Sequence, residues 1–191
     1  MQNNVTEDLL RRRPGQHGFK QTELEKRGIQ LAFGAPVTGA ISVSDGIAVC
    51  FGDGNVRFFR PKHGFTTVKA HKGVVLCLAA SEDHIITGGD DGRFLQISIN
   101  GKVKEIADFN SKWVDCVATK NGIRVCSSGS SVYVWSKDHF EPKILKHSST
   151  VGGLAFDKKG KRLAVAHYGG TTIWEKGDRR WKSKKLIWKG F

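Results

Sequence analysis

The feature that most limits what this chain can fold into is a unit of about 40 residues written four times from about residue 35 onward. Its tight turns show the repeat best. Ile47-Ala-Val-Cys-Phe-Gly-Asp53-Gly54 aligns with Ile85-Ile-Thr-Gly-Gly-Asp-Asp91-Gly92, with Ile123-Arg-Val-Cys-Ser-Ser-Gly129-Ser130 and with Leu163-Ala-Val-Ala-His-Tyr-Gly169-Gly170, so the turn recurs after 38, 38 and 40 residues. A β-rich run follows each turn: Val56–Phe59, Phe94–Ile97, Val132–Trp135 and Thr171–Trp174. Another apolar strand precedes it, starting at Val37, Val75, Val114 and Val151. A further strand follows, at Phe65–Lys69, Lys102–Ile106, Lys143–Leu145 and Lys185–Trp188.

Four short strands per unit, joined by turns that want Gly or Asp, show no helical period. The 23 glycines favour tight turns over long helices in the same way. From about residue 35 to 191 this pattern resembles the WD-repeat β-propeller family. The resemblance implies an all-β fold, a WD-type β-propeller of four four-stranded antiparallel blades at about 28–69, 70–109, 110–146 and 147–191. Family rings usually carry more blades than four, so an incomplete ring is expected.

Family blades are locked by a histidine, a Ser or Thr of the second strand, the turn Asp and a Trp. Here the resemblance maps the lock onto His71, Thr87 and Asp91 in the second unit, and onto His147 and Trp174 in the fourth. Trp135 takes the Trp position of the third unit, where Asn110 stands for the histidine. Phe59 and Ile97 replace the Trp in the first two units. The Asp that follows the Trp in the family is Arg60, Ser98, Ser136 and Glu175 here.

Residues 1–27 stand outside the repeat, and Arg11-Arg-Arg-Pro-Gly reads as a flexible basic arm. Gly28-Ile-Gln-Leu-Ala-Phe33 alternates like a strand, and in the family a leading strand completes the last blade. No run of 18 apolar residues occurs and the N-terminus lacks the order of a signal peptide, so a cytoplasmic protein is expected. Cys50, Cys77, Cys116 and Cys126 sit singly among apolar residues, with no metal-ligand spacing; buried, reduced thiols are expected. Cys50 and Cys126 align with each other, as do Cys77 and Cys116.

His71 and His147 recur at equivalent positions, as structural residues do, and two histidines do not make a metal site. Asp53, Asp90 and Asp91 adjoin turn glycines, where Asp serves a local backbone bond, and no nucleophile stands with them. The expectation is therefore a non-enzymatic scaffold without cofactor or metal, binding protein partners. By the resemblance, the channel mouth carries the partner-binding residues: Leu76 and Asp90, then Trp113, Asp115 and Ser128, then Thr150 and Tyr168. The alternative is a nucleic-acid-associated protein. With 31 Lys plus Arg against 18 Asp plus Glu, the chain carries a formal charge of +13. The segment Lys176–Lys189 interleaves cations with Trp181 and Trp188. Lysines on an exposed outer strand also protect its edge without any ligand.

Overall fold

The computed structural model describes residues 22–61, 64–136, 140–177 and 180–187. The arm at 1–21, together with Trp188 and Lys189, lies outside the described residues. The chain divides into an N-terminal unit, Met1–Ala35, and a second unit, Pro36–Phe191. In the first unit helix α1 (Glu23–Arg27) ends on two basic residues, which suits the negative end of a helix. Residues 28–35 carry no strand, and Ile29 is 81% exposed. The alternation at 28–33 therefore does not yield the leading strand expected from it; a period of two becomes a strand only where a neighbour supplies the ladder.

The second unit holds four sheets. Sheet 1 comprises β1 (Val37–Val43), β2 (Gly46–Phe51), β3 (Asn55–Arg60) and β4 (Gly64–Lys69). Sheet 2 comprises β5 (Val75–Ala80), β6 (His84–Gly89), β7 (Arg93–Ser98) and β8 (Val103–Asp108). Sheet 3 comprises β9 (Cys116–Lys120), β10 (Ile123–Ser128), β11 (Ser131–Trp135) and β12 (Lys143–Lys146). Sheet 4 comprises β13 (Val151–Phe156), β14 (Arg162–His167), β15 (Gly170–Lys176) and β16 (Trp181–Ile187). Within each sheet the strands pair in chain order, and every pairing is antiparallel. The outer strand of sheet 4 begins at Trp181, four residues before the start read from the sequence.

Successive sheets meet through their first strands, β1 with β5, β5 with β9 and β9 with β13. No comparable contact joins β13 to β1, and the four sheets do not close into a ring. Three apolar layers hold them together. Ala48, Cys50, Val56 and Phe58 of sheet 1 pack on Val75, Ile85, Leu95 and Ile97 of sheet 2. Ile86 and Phe94, on the other face of sheet 2, meet Val114, Cys126 and Trp135. Val125, Val132, Val134 and Leu145 of sheet 3 meet Val151, Leu163 and Val165. Both faces of the middle sheets are thus buried, which explains why their strands read as nearly continuous apolar runs. The outer faces of the first and last sheets are uncovered among the described residues. Val75 and Val151, which open their sheets, and Val114, two residues before β9, are buried, but the equivalent Val37 is 60% exposed. At the far end, Ala155 and Ala166 lie exposed on the face of sheet 4 turned away from sheet 3.

Two turns require glycine outright. Gly54 and Gly92 both sit at φ +80°, and a Cβ on either would collide with the incoming loop of the next unit, at His71 O and Asn110 O respectively. The close approach is functional for the fold: Gly54 O accepts from Ala70 N and His71 N, and Gly92 O from Phe109 N.

Register corrects one alignment read from the sequence. Cys77 pairs with Gly88, but Cys116 pairs with Ser127 and Val117 with Cys126. The turn between the paired Gly88 and Phe94 runs from Gly89 to Arg93, whereas that between Ser127 and Val132 runs only from Ser128 to Ser131. One residue is lost in the third turn, so Cys126 stands where Thr87 stands and faces sheet 2, not where Cys50 stands.

Phe94 is fully buried with its ring 5.4 Å from that of Trp135. Phe94→Ala is expected to cost about 3–5 kcal/mol through lost transfer energy and the cavity left between sheets 2 and 3. Urea denaturation with the slope held in common checks it.

Candidate interaction surface

The strongest polar cluster is built on the loop entering sheet 2. His71 is 1% exposed; its Nδ1 donates to Asp91 Oδ1 at 2.8 Å and its Nε2 accepts from Thr87 Oγ1 at 3.0 Å. Asp91 Oδ2 accepts from Lys72 N at 2.9 Å, and Asp91 Oδ1 from Arg93 N at 3.2 Å. One carboxylate thereby ties the hairpin of β6 and β7 to the strand-entry loop. Burial holds the His71 imidazole below its ordinary range, and Asp91 opposes this only in part. Burial would raise Asp91, but hydrogen bonds from His71 and Lys72 N overcome it and hold the carboxyl low. The pair is a neutral imidazole donating to a carboxylate.

Sheet 4 arranges the same elements differently. Gly169 occupies the turn position of Asp91, and His147 Nε2 instead accepts from Trp174 Nε1 at 3.0 Å. His147 Nδ1 is buried without a partner among the described residues. His167, whose ring centre is 5.5 Å away, donates through Nδ1 to Tyr168 O and accepts from Thr172 Oγ1 at 2.9 Å. Burial lowers the His147 pKa, and the His167 and Lys185 charges push the same way. Trp135 takes no part in such a lock. It is buried against Phe94 and Tyr133, and Asn110 lies exposed at φ 58°.

Sheet 1 has a device that sequence reasoning missed. Arg57 Nη2 donates to Asp53 Oδ2 at 2.8 Å while its guanidinium lies 4.2 Å from the centre of the Phe51 ring. Burial would raise the Asp53 pKa, but the bonds from Arg57 and from Asn55 N bring it down to about 2. Nothing in the repeat pattern marks Arg57, because its strand position reads as an ordinary polar residue.

The starts of the first strands and the turns between second and third strands lie at one end of the sheets. There Trp113 is 60% and Tyr168 86% exposed, and Thr150 is exposed as well. Leu76 and Asp90 are half-buried, with Asp90 Oδ1 shielded and lacking a partner among the described residues. Ser128 is buried, its Oγ likewise without a partner. Asp115 is committed within its own sheet, accepting from Ser127 Oγ at 2.9 Å. Val37 adds an exposed apolar side chain at this end.

The thiols are structural. Cys77 Sγ donates to Val114 O at 3.4 Å and Cys116 Sγ to Val151 O at 3.9 Å, the same bond from each first strand to the next. Burial pushes Cys50 up to about 12 and raises the other three, so none is a thiolate near neutrality.

No family model and no curated protein sequence matches the chain. Solved structures do. The WD40 β-propeller domain of Doa1 superposes with a TM-score of 0.66 at 20% identity, over 79% of this chain and 54% of that one. A chain of the mitotic checkpoint complex gives 0.65 at 17% identity, over 77% and 52%. The computationally designed protein Ika4 gives 0.63 at 18% identity, over 76% and 94%. These four sheets share the fold of WD40 β-propeller blades. The chain spans about half the length of the Doa1 and checkpoint-complex chains. Among the described residues no helix is long and apolar enough to cross a membrane.

The two blade histidines set an acid limit. Unfolded, both titrate near the ordinary ~6.5; folded, both titrate lower. Below ~6.5 the unfolded chain binds more protons, so the stability these groups contribute is complete above that pH and is lost as pH falls through their folded values. The carboxylates Asp53 and Asp91 are also depressed, but their contribution is lost only below the ordinary ~3.9. The melting temperature is therefore expected to fall between pH 7.5 and 5.5, at about 2–4 °C per kcal/mol for a chain of this size. His147→Gln should flatten that slope; calorimetry across the pH range decides.

Proposed function

We propose that this chain is a non-catalytic protein-interaction scaffold, and that a protein partner docks across the end of the blades carrying Trp113 and Tyr168. The observation that carries the reading is these two large, exposed aromatics, supplied by two different blades at one end of the arc. A Trp left 60% in water is not filling a core, and Trp and Tyr are the side chains that most often dominate interface energetics. The exposed Thr150 offers polar bonding beside them. One structural neighbour comes from a multi-protein complex, which fits a scaffold. Nucleic-acid association through the basic segment Lys176–Lys189 is the weaker reading, because Lys182, Lys184 and Lys185 lie on the outer strand β16, where exposed lysines protect an edge.

Trp113→Ala is expected to weaken partner binding by ~2 kcal/mol or more while leaving the melting temperature nearly unchanged. Binding measured by calorimetry against a captured protein partner, beside a thermal melt, gives both numbers. A melt lowered by several degrees with binding intact would make Trp113 a packing residue and remove the docking face.

A further inference from the structure

The opposite end of the blades, where each first strand finishes, carries a different feature. Between sheets 1 and 2 the corner at this end is plugged by Arg60. Its guanidinium bonds to Ile99 O of the next sheet, to Asp45 and to Thr66. Repeat alignment puts Ser136 at the position of Arg60 in sheet 3, and a serine is far too short to reach across. The corner between sheets 3 and 4 is correspondingly open, a cleft of about 400 Å³.

Its floor is aliphatic. Ile123 and Val134 are 5% and 4% exposed, and Trp181 and Pro142 form the walls. Its rim is cationic: Lys143 from β12, beside Val134 in register, and Lys176 and Arg180 from the hairpin of β15 and β16. Among the described lining residues, one carboxylate, Glu141, stands beside these three. The ion pairs formed among the described residues all lie elsewhere. The adjoining turns add exposed Lys120, Lys158, Lys159 and Lys161, and Asn121 Nδ2 donating to Lys159 O at 3.0 Å holds the two turns together.

We infer that this cleft is a second docking site, separate from the Trp113 face, and that it takes a short acidic peptide segment bearing one bulky aliphatic or aromatic side chain. The side chain occupies the space that Arg60 fills between sheets 1 and 2, and flanking carboxylates meet Lys143, Lys176 and Arg180. Peptide is favoured over single-stranded nucleic acid by the floor. Ile123 and Val134 offer a base edge no hydrogen bond, and polar groups buried there would be unsatisfied. A strand also needs successive stacking surfaces, and Trp181 is the one aromatic lining the cleft among the described residues.

The test uses the full chain and a fluorescein-labelled probe peptide, Asp-Glu-Glu-Leu-Glu-Asp-Glu, followed by fluorescence polarisation at physiological salt. Binding in the range of ~10–100 μM is expected, and replacing the probe's Leu by Gly should weaken it about tenfold. Ser136→Arg, which copies the plug of the first corner, should abolish it. Lys143→Glu combined with Lys176→Glu should weaken it about tenfold or more with the melting temperature unchanged; this surface pair keeps the test open should Ser136→Arg fail to fold. Absence of probe binding at millimolar peptide overturns the inference, as does binding indifferent to Ser136→Arg in a folded variant or to loss of the leucine. A ten-residue oligo-dT that binds more tightly than the peptide assigns the cleft to nucleic acid instead. The Trp113→Ala variant should bind the probe normally, so failure at this site and failure of the docking face remain distinguishable.

Discussion

No sheet in this chain is stable until a neighbour covers it. Sheet 2 buries Ile85, Leu95 and Ile97 on one face and Ile86 and Phe94 on the other, at or near complete exclusion from water. An isolated four-stranded sheet would leave both of those faces wet, at about 1.5–3 kcal/mol for each large side chain. Cohesion is therefore nearest-neighbour, as in repeat proteins generally. The thiol-to-carbonyl bonds of Cys77 and Cys116, and the loop bonds to Gly54 and Gly92, fix the spacing at which the apolar layers mesh. The same dependence accounts for the two ends: Val37, Ala155 and Ala166 are exposed on faces that no other sheet among the described residues covers.

Most of the fold was legible because its grammar is local. Each hairpin needs a turn that only Gly, Asp or Asn readily forms, and the recurrence of those turns gave sheet number, strand order and strand sense. What failed was the information that a turn conceals. Gly129-Ser130 looks like Asp91-Gly92 in sequence, yet the third turn is one residue shorter, and in a strand one residue moves a side chain to the other face. Cys126 consequently belongs to the layer between sheets 2 and 3, not to the position of Cys50. The stretch 28–33 misled for a related reason, since alternation records a preference and not the presence of a pairing edge.

Site residues were legible in proportion to how far their roles follow from repeat position. His71, Thr87 and Asp91 come together as their positions imply, and His147 meets Trp174. The residues mapped to the channel mouth do share one end of the arc, but their states differ: Trp113 and Tyr168 stand in solvent, while Asp115 is bonded to Ser127. Sequence position gives the end of the blade and not the rotamer. Arg57 escaped notice altogether because its burial depends on Asp53 and Phe51, two neighbours whose convergence no single strand pattern encodes.

Divergence among the four units is where function has room. A repeat in which every blade carried the full lock and the same plug would be uniform at both ends and would offer a partner no distinguishing feature. Here sheet 2 spends a carboxylate on its histidine, whereas sheet 4 uses an indole and leaves His147 Nδ1 buried without a partner. An acceptor already carrying negative charge strengthens a hydrogen bond to it, so the lock of sheet 2 is the stronger one. Sheet 4, with one face open and the weaker lock, also furnishes Tyr168 at one end and the Lys176, Arg180 and Trp181 hairpin at the other. One blade thus carries part of both proposed docking surfaces, at opposite ends of the same sheet.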